Sequence, residues 1–209
     1  MKAKSAKEMS EEEVRCFLEK SFGVNDIESN PKVGKKKADF RIRSIDAYVE
    51  VHAIKNIAED QLRVLSVENN VTQVEFNEIG RRVVRDRIAN KLLHECTQLP
   101  DGKQNLVVTK TEGFFLSPDD VIDAIIGEPH LLINKENMQT SVGHGVTAFR
   151  TEEELQQALQ KISAMIAYKR ICEHGKLHGI IGNNKNNAKV PFDDEIFAIF
   201  HELLCDKCA

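Results

Sequence analysis

Alternating hydrophobic and polar residues between Lys37 and His52 predict two β-strands joined by a tight turn. The first arm ends at Arg43 and the second arm begins at Asp46, which leaves Ser44-Ile45 as the turn. Because side chains alternate between the two faces of a strand, this pattern also predicts which residues of the hairpin share a face.

The register of this hairpin separates an apolar face from a charged one. Its apolar pairs share one buried face, and they are Ala38 with Val51, Phe40 with Val49, and Ile42 with Ala47. The same register places Asp39 directly opposite Glu50 on the other face, and Lys37 opposite His52. Like charges that face each other across two strands are destabilising, so the carboxylate pair predicts a compensating cation. A divalent metal is the strongest candidate.

Helical periodicity alternates with short apolar runs along the rest of the chain. Helices are predicted over residues 10–22, 77–99, 117–126, 151–159 and 191–204, further strands over 105–109, 162–168 and 178–181, and a short apolar run lies at 131–133. Residues 56–75 are predicted to be part helix and part extended, and residues 135–145 and 182–187 to be loops. A strand, a long helix and another strand in this order predict a crossover onto a shared sheet. The predicted fold class is therefore α/β, with a mixed central sheet flanked by helices.

Length and composition fit one globular domain. The chain has 209 residues, of which 41% are hydrophobic and 30% are charged. We expect residues 1–9 to be a disordered lead and residues 10–209 to form a single α/β domain. The basic start is not followed by an apolar stretch, and no window approaches the ~18 apolar residues of a membrane span. These features predict a cytoplasmic protein without a membrane partner.

The chain has five cysteines, an odd number, and they are scattered along it: Cys16, Cys96, Cys172, Cys205 and Cys208. In a chain without a secretory signal, this pattern predicts reduced thiols. A second interpretation is a zinc site, whose ligands would come from His201, Cys205 and Cys208 with Cys172 and His174.

The net charge of −4 argues against a protein that binds polyanions over its whole surface. Nucleic acid would therefore have to contact a local basic patch. One candidate patch precedes the hairpin and includes Lys35 and Lys36, and the other lies on the long helix and includes Arg81 and Arg85. The alternative for the helix is an ordinary solvated face.

The hairpin and its surroundings resemble the PD-(D/E)xK nuclease superfamily. Its members carry an Asp on one strand of a hairpin and (Asp/Glu)-x-Lys on the next, matched here by Asp39 and by Glu50-Val51-His52. The resemblance covers roughly residues 10–110, where one helix precedes the hairpin and a basic helix and a hydrophobic strand follow it. It implies a restriction-endonuclease-like core in which Asp39 and Glu50 bind Mg²⁺ or Mn²⁺ for phosphodiester hydrolysis.

Two positions depart from the superfamily pattern. Ala38 stands where a proline is common, and His52 stands where the family has the lysine that positions or activates the attacking water. The lysines that could replace it are Lys37, Lys55 and Lys91. Gln98 is a further candidate, because a Gln or Lys on this helix points into the site in many members.

His52 has three interpretations: a base that orients water, a metal ligand that favours Mn²⁺, or an ordinary polar residue of a strand. The sequence therefore predicts a metal-dependent nuclease that acts on DNA or RNA. Its candidate catalytic residues are Asp39, Glu50, His52, Lys37, Lys91 and Gln98. The alternative is a catalytically inactive binding or assembly module on the same fold. The expected partners are nucleic acid and a second copy of the chain in a homodimer.

Overall fold

A computed structural model describes residues 6–54, 62–68, 71–76, 78–112, 116–126, 129–133, 140–144, 152–172, 176–185 and 188–205. The helices within these ranges are α1 (Ala6–Phe22), α2 (Glu78–Gln98), α3 (Pro118–Ile126), α4 (Glu152–Lys161) and α5 (Asp194–Glu202). The strands of the first half are β1 (Ile27–Ser29), β2 (Lys32–Val33), β3 (Lys36–Lys37), β4 (Phe40–Ile42), β5 (Ala47–Ile54), β6 (Leu62–Glu68) and β7 (Val71–Phe76). The strands of the second half are β8 (Gln104–Thr111), β9 (Pro129–Ile133), β10 (Thr140–His144), β11 (Ala164–Ile171), β12 (Leu177–Asn183) and β13 (Leu204–Cys205).

A seven-stranded mixed sheet forms the centre of the described fold, in the order β1-β4-β5-β8-β11-β12-β13. Strands β5, β8 and β11 run parallel, and α2 crosses over between β5 and β8 as predicted. The hairpins β2–β3, β6–β7 and β9–β10 lie outside this sheet. The predicted α/β class, with a mixed sheet flanked by helices, is confirmed.

Apolar side chains cover both faces of the sheet, as is usual where parallel strands lie between helices. On one face, called here the α2 face, the buried cluster includes Ile88, Leu92, Val121, Leu159 and Met165. On the other, the α1 face, it includes Val14, Leu18, Val49, Ile166 and Phe200. The sheet is therefore shielded by α2, α3 and α4 on one side and by α1 and α5 on the other.

The predicted hairpin consists of β4 and β5, and its register is confirmed by the pairs Phe40–Val49 and Ile42–Ala47. Residues 43–46 form the turn, in which Asp46 N donates a hydrogen bond to the Arg43 carbonyl oxygen at 3.3 Å. Asp46 adopts a φ of 46°, which an aspartate tolerates better than most residues.

Three predicted pairs of the register are wrong: Ala38 with Val51, Asp39 with Glu50 and Lys37 with His52 lie outside the pairing of β4 with β5, and Lys37 pairs with Lys32 instead. The chain bends at Asp39, and β4 begins only at Phe40. Ala38 is consequently buried with Tyr48 on the α2 face, whereas Phe40 and Val51 are buried on the α1 face. Alternation assigns faces only within a continuous strand, and it fails across the bend.

Helix α1 begins at Ala6, so residues 6–9 of the predicted lead are its first turn. The predicted start at Ser10 is wrong because this serine does not cap the helix. Its side chain is fully buried and hydrogen-bonded to the Tyr168 phenol. The phenol also donates to Glu13 Oε2 at 2.9 Å, so α1 is attached to β11 by polar contacts as well as by apolar packing.

Two predicted segments differ from the described structure. Residues 62–68 and 71–76 are paired strands rather than partly helical, and residues 140–144 form a strand with β9 rather than a loop. Helix α5 begins at Asp194, where Asp193 Oδ1 accepts a hydrogen bond from Ile196 N at 2.8 Å. This aspartate cap explains why the helix starts after the predicted position.

The prediction of reduced thiols is wrong for Cys172, which is disulfide-bonded. It is confirmed for Cys16, Cys96 and Cys205, and Cys208 lies outside the described residues. Strand β12 pairs with both β11 and β13, and this brings the end of β11 to the edge where the chain's last described residues lie. Spacing along the sequence gives no sign of that proximity.

None of the described helices has the length and apolar character needed to cross a bilayer.

Candidate functional site

Strand β5 positions two of the candidate residues. Seven of its eight residues are buried, because it lies between β4 and β8. Val49 and Val51 pack on the α1 face, so Glu50 and His52 point to the α2 face. Glu50 is 2% exposed and His52 is 0% exposed. The expected polar face open to water is therefore not found at these two residues.

Polar side chains meet beneath α2 in what we call the Glu50 cluster: Glu50, His52, Lys91, Glu95 and Thr109. The Glu95 carboxylate accepts a hydrogen bond from Glu50, and its Oε1 lies 2.7 Å from Lys91 Nζ. The Nε2 atom of His52 lies 3.0 Å from Thr109 Oγ1, on the neighbouring parallel strand. The cluster therefore links two strands of the sheet to α2.

The charge of the cluster resides on Glu95. Burial of Glu95 raises the pKa of its carboxyl group. Hydrogen bonds from Glu50 and Lys91, together with the electrostatic effect of nearby His52, lower that pKa by more than burial raises it. The net result is a pKa below the ordinary value of 4.5. Two carboxyl groups in hydrogen-bond contact share one proton, since two anions at this distance would repel each other. Glu50 supplies that proton, and Lys91 balances the Glu95 anion.

Glu95 is a residue that the sequence analysis missed. It lies four residues after Lys91, the spacing at which side chains of a helix meet. It also lies between Leu92 and Leu99 on the apolar stripe of α2, where a charged residue is unusual. That position in the stripe is the signal that would have pointed to a buried, paired carboxylate.

Asp39 lies at the bend before β4 and is half-buried. Its Oδ2 accepts a hydrogen bond from Val51 N at 2.8 Å, and its backbone oxygen accepts one from Asn30 N at 2.8 Å. The cleft beside it, of about 370 Å³, is lined by Glu8, Glu12 and other residues of α1. The surroundings of Asp39 and Glu50 therefore lie on different sides of the sheet.

The remaining candidates are spread over the molecule. Of the candidate lysines, Lys91 reaches Glu50 through Glu95, and Lys55 lies outside the described residues. Lys37 is exposed on β3 and Gln98 is half-buried at the end of α2, with no hydrogen bond or ion pair to the cluster among the described contacts.

The candidate nucleic-acid contacts are described only in part. Lys35 is exposed in the turn between β2 and β3, and Lys36 donates to Asp101 Oδ2 at 2.8 Å. Arg81 and Arg85 belong to α2, but their side chains lie outside the described part.

The residues present do not fit the metal site that the resemblance implies. Within the described residues, no three His, Cys, Asp or Glu side chains are grouped to hold an ion. Magnesium can be held by two carboxylates and water, so the fit depends on Asp39 and Glu50. Glu50 is buried against Glu95, and the Asp39 carboxylate accepts the Val51 N–H.

Comparison of the chain with models of known protein families, with curated proteins and with solved structures finds no match. The resemblance to the PD-(D/E)xK superfamily accordingly depends on the motif and the order of elements alone.

Proposed function

We propose that this chain is a catalytically inactive nucleic-acid-binding module on an α/β fold that resembles the PD-(D/E)xK core. The observation that carries the proposal is the burial of Glu50 and His52 beneath α2. Hydrolysis requires a phosphodiester and a water molecule to reach the catalytic groups, and side chains sealed between a sheet and a helix admit neither.

In this proposal the motif residues stabilise the fold. Glu50 donates to the buried Glu95 anion, and His52 contacts Thr109 on the adjacent strand. Asp39 accepts a hydrogen bond from the N–H of Val51. This residue of β5 lies past Val49, the last residue that pairs with β4. Each group thus satisfies a polar partner in the interior, where an unsatisfied one would be costly.

The hairpin β2–β3 supplies the proposed binding surface. Lys32 and Lys37 are paired across it, and both are exposed together with Lys35. Gly34 has a φ of 64°, a conformation that glycine adopts readily and that forms the tight turn. Lys36 attaches the hairpin to Asp101. Exposed lysines on such a hairpin would neutralise phosphates without reading sequence.

The exposed apolar residues do not favour an apolar partner. In the described part of the chain there are four large ones, Met9, Val24, Ile171 and Ile199. A protein partner would be favoured by one contiguous apolar patch. The basic hairpin is therefore the surface on which the proposal rests.

We expect wild type to bind a fluorescently labelled oligonucleotide with an affinity that falls as salt rises from about 50 to 200 mM. The double variant Lys35→Ala/Lys37→Ala should bind about tenfold more weakly and reduce the salt slope by about 2, because two phosphate contacts are lost. Fluorescence anisotropy measures both quantities.

The matched control is Lys20→Ala/Lys176→Ala, which removes the same charge from exposed positions on α1 and beside β12. It should retain nearly all of the affinity. Equal losses in the two double variants would mean that only net charge matters, and the hairpin would then not be the binding surface.

A metal-dependent nuclease is the second candidate, because three motif positions lie close along β5. Asp39 contacts Val51, which lies between Glu50 and His52, and Lys91 reaches Glu50 through Glu95. For an active site, α2 would have to move away from Glu50, and Asp39, whose surroundings lie on the other side of the sheet, would have to turn towards it so that both carboxylates could bind Mg²⁺ or Mn²⁺.

Calorimetric titration with Mn²⁺, and cleavage assays on single-stranded DNA, duplex DNA and RNA, separate the two candidates. If the chain is an inactive module, wild type should show either no cleavage or only cleavage that remains in Glu50→Gln. For the nuclease, Glu50→Gln should abolish both metal binding and cleavage, and His52→Lys should keep or increase activity. Activity of wild type would also rise through neutral pH as His52 loses its proton, from an unperturbed pKa of about 6.5.

A further inference from the structure

A polar cavity of about 120 Å³ lies beside the starts of β8 and β11. Asp101, Lys103 and Asn105 line it from the segment that enters β8. Lys161, the last residue of α4, and Lys189 complete the charged lining. The cavity is separate from the Glu50 cluster, because none of the residues that line the cavity belongs to that cluster.

The charged groups of the cavity are mainly positive, with three lysines and one aspartate in the lining. Asp101 binds Lys36 Nζ at 2.8 Å and Lys161 Nζ at 3.0 Å. These hydrogen bonds lower the pKa of its carboxyl group to about 2, so its charge is constant and already balanced.

The lysines keep unused donor capacity. Each ammonium group has three N–H donors. Lys161 uses two of them, on Asp101 Oδ1 at 3.0 Å and on the Cys96 carbonyl oxygen at 3.3 Å, which leaves one available. Lys103 contacts Asp46 Oδ2 at 2.6 Å. Lys189 is exposed, and it forms no ion pair with any residue in the described ranges. The cavity therefore offers several positively charged donors to an anion.

The side chain of Asn105 adds a hydrogen-bond acceptor to which no described group donates. The residue is 1% exposed, and its Nδ2 donates to the Pro100 and Lys161 carbonyl oxygens at 2.9 and 2.8 Å. These two bonds fix the orientation of the amide. Its Oδ1 is buried and has no hydrogen-bond partner among the described atoms. A buried acceptor of this kind favours a ligand or water that can donate to it.

We propose that this cavity binds a phosphate group that retains a proton, of which inorganic hydrogen phosphate is the smallest example. The lysines donate to its charged oxygens, and its P–OH group donates to Asn105 Oδ1. Sulfate has the same shape but carries no proton near neutral pH, so it would leave the buried acceptor unsatisfied. Selectivity for phosphate over sulfate follows from that difference, because a site built for a hydrogen bond rejects a ligand that lacks it.

Isothermal titration of wild type with inorganic phosphate and with sulfate, at matched ionic strength and in EDTA, tests the proposal. Phosphate should bind at least about tenfold more tightly than sulfate, since only phosphate satisfies the acceptor. Lys189→Gln should weaken phosphate binding by about tenfold through the loss of a charge-assisted hydrogen bond. The control Lys185→Ala, four residues away and ion-paired with Asp194 outside the cavity, should leave phosphate binding unchanged.

Equal responses to phosphate and sulfate would overturn the proposal, because they indicate a water at Asn105 or simple screening. Unchanged phosphate binding in Lys189→Gln would place the ion elsewhere and would also overturn it. Methyl phosphate at pH 8 distinguishes free phosphate from a phosphate monoester as the ligand. A monoester loses its last proton near pH 6, whereas free phosphate keeps one at pH 8, so at that pH only free phosphate can donate to Asn105 Oδ1. The titrations contain no nucleic acid, so their outcome does not depend on the proposed function.

Discussion

We expect Gly179→Ala to lower the free energy of unfolding by at least about 3 kcal/mol, a large fraction of the total stability of a typical domain. Gly179 on β12 pairs with Tyr168 on β11, next to a register shift between Tyr168 and Arg170. A Cβ atom at Gly179 would overlap the Ala167 carbonyl oxygen and lie 2.6 Å from Tyr168 Cα. These are backbone atoms of a buried strand, so they cannot move aside without breaking the sheet.

Gly182→Ala on the same strand is the matched control. The nearest atom to its added Cβ would be Ile122 Cδ1 at 3.2 Å, the flexible end of a side chain. We expect a loss of less than about 1 kcal/mol at this position. Urea unfolding followed by circular dichroism measures both variants. Similar losses in the two variants would mean that the close approach at Gly179 is absent from the folded protein.

The local part of the fold could be predicted from the sequence because it depends on neighbouring residues. Alternation in β4 and β5 fixed the pairing of Phe40 with Val49, and that pairing is confirmed. The apolar stripe of α2, with Ile88 and Leu92, likewise predicted a helix that packs on the sheet. The parallel crossover from β5 to β8 followed from the order of these elements.

The environment of the candidate residues could not be predicted in the same way. Alternation predicts that Glu50 and His52 share a face of a strand, but it does not say what covers that face. The covering residues are on α2, about forty positions later in the chain, and they include Glu95. The sequence therefore predicted the strand that carries Glu50 and His52 but not their burial.

The cavity beside the starts of β8 and β11 shows the same limit over a longer separation. Asn105 and Lys189 are separated by more than eighty residues. Their segments meet at Ser163, whose Oγ accepts a hydrogen bond from Asn105 N and donates one to the Val190 carbonyl oxygen. Neither residue belongs to a motif. Charge patterning along the chain emphasised Lys35 and Lys36 because they are consecutive, which says nothing about lysines that converge in space.

We expect Glu95→Ala to lower the free energy of unfolding by about 3 kcal/mol, with a range of about 2–4. The substitution removes the ion pair with Lys91 and leaves the buried Glu50 without its acceptor. Glu50→Gln should change stability by less than about 1 kcal/mol, because the glutamine amide can still donate to the Glu95 carboxylate. Chemical denaturation of both variants at neutral pH gives the comparison.

The dependence of this loss on pH identifies Glu95 as the charged member of the pair. Its folded-state pKa lies below the ordinary value of 4.5, so its contribution to stability is complete above that pH. The contribution is lost as the pH falls through the folded-state value, because the carboxylate then takes up a proton. The difference between wild type and Glu95→Ala should accordingly shrink in acid. A difference that stays constant from neutral pH to acid would show that the lost packing, and not the charge, explains the effect.

The behaviour of Glu50→Gln also separates a structural role from a catalytic one. Where two carboxylates are held together to bind a metal, removal of one charge relieves their repulsion and stabilises the metal-free protein. Where Glu50 already shares its proton with Glu95, that repulsion is absent and glutamine brings no gain. A Glu50→Gln variant that is clearly more stable than wild type in EDTA would therefore favour the metal site. Unchanged stability, together with the large loss in Glu95→Ala, would favour a buried hydrogen-bonded cluster that stabilises the fold.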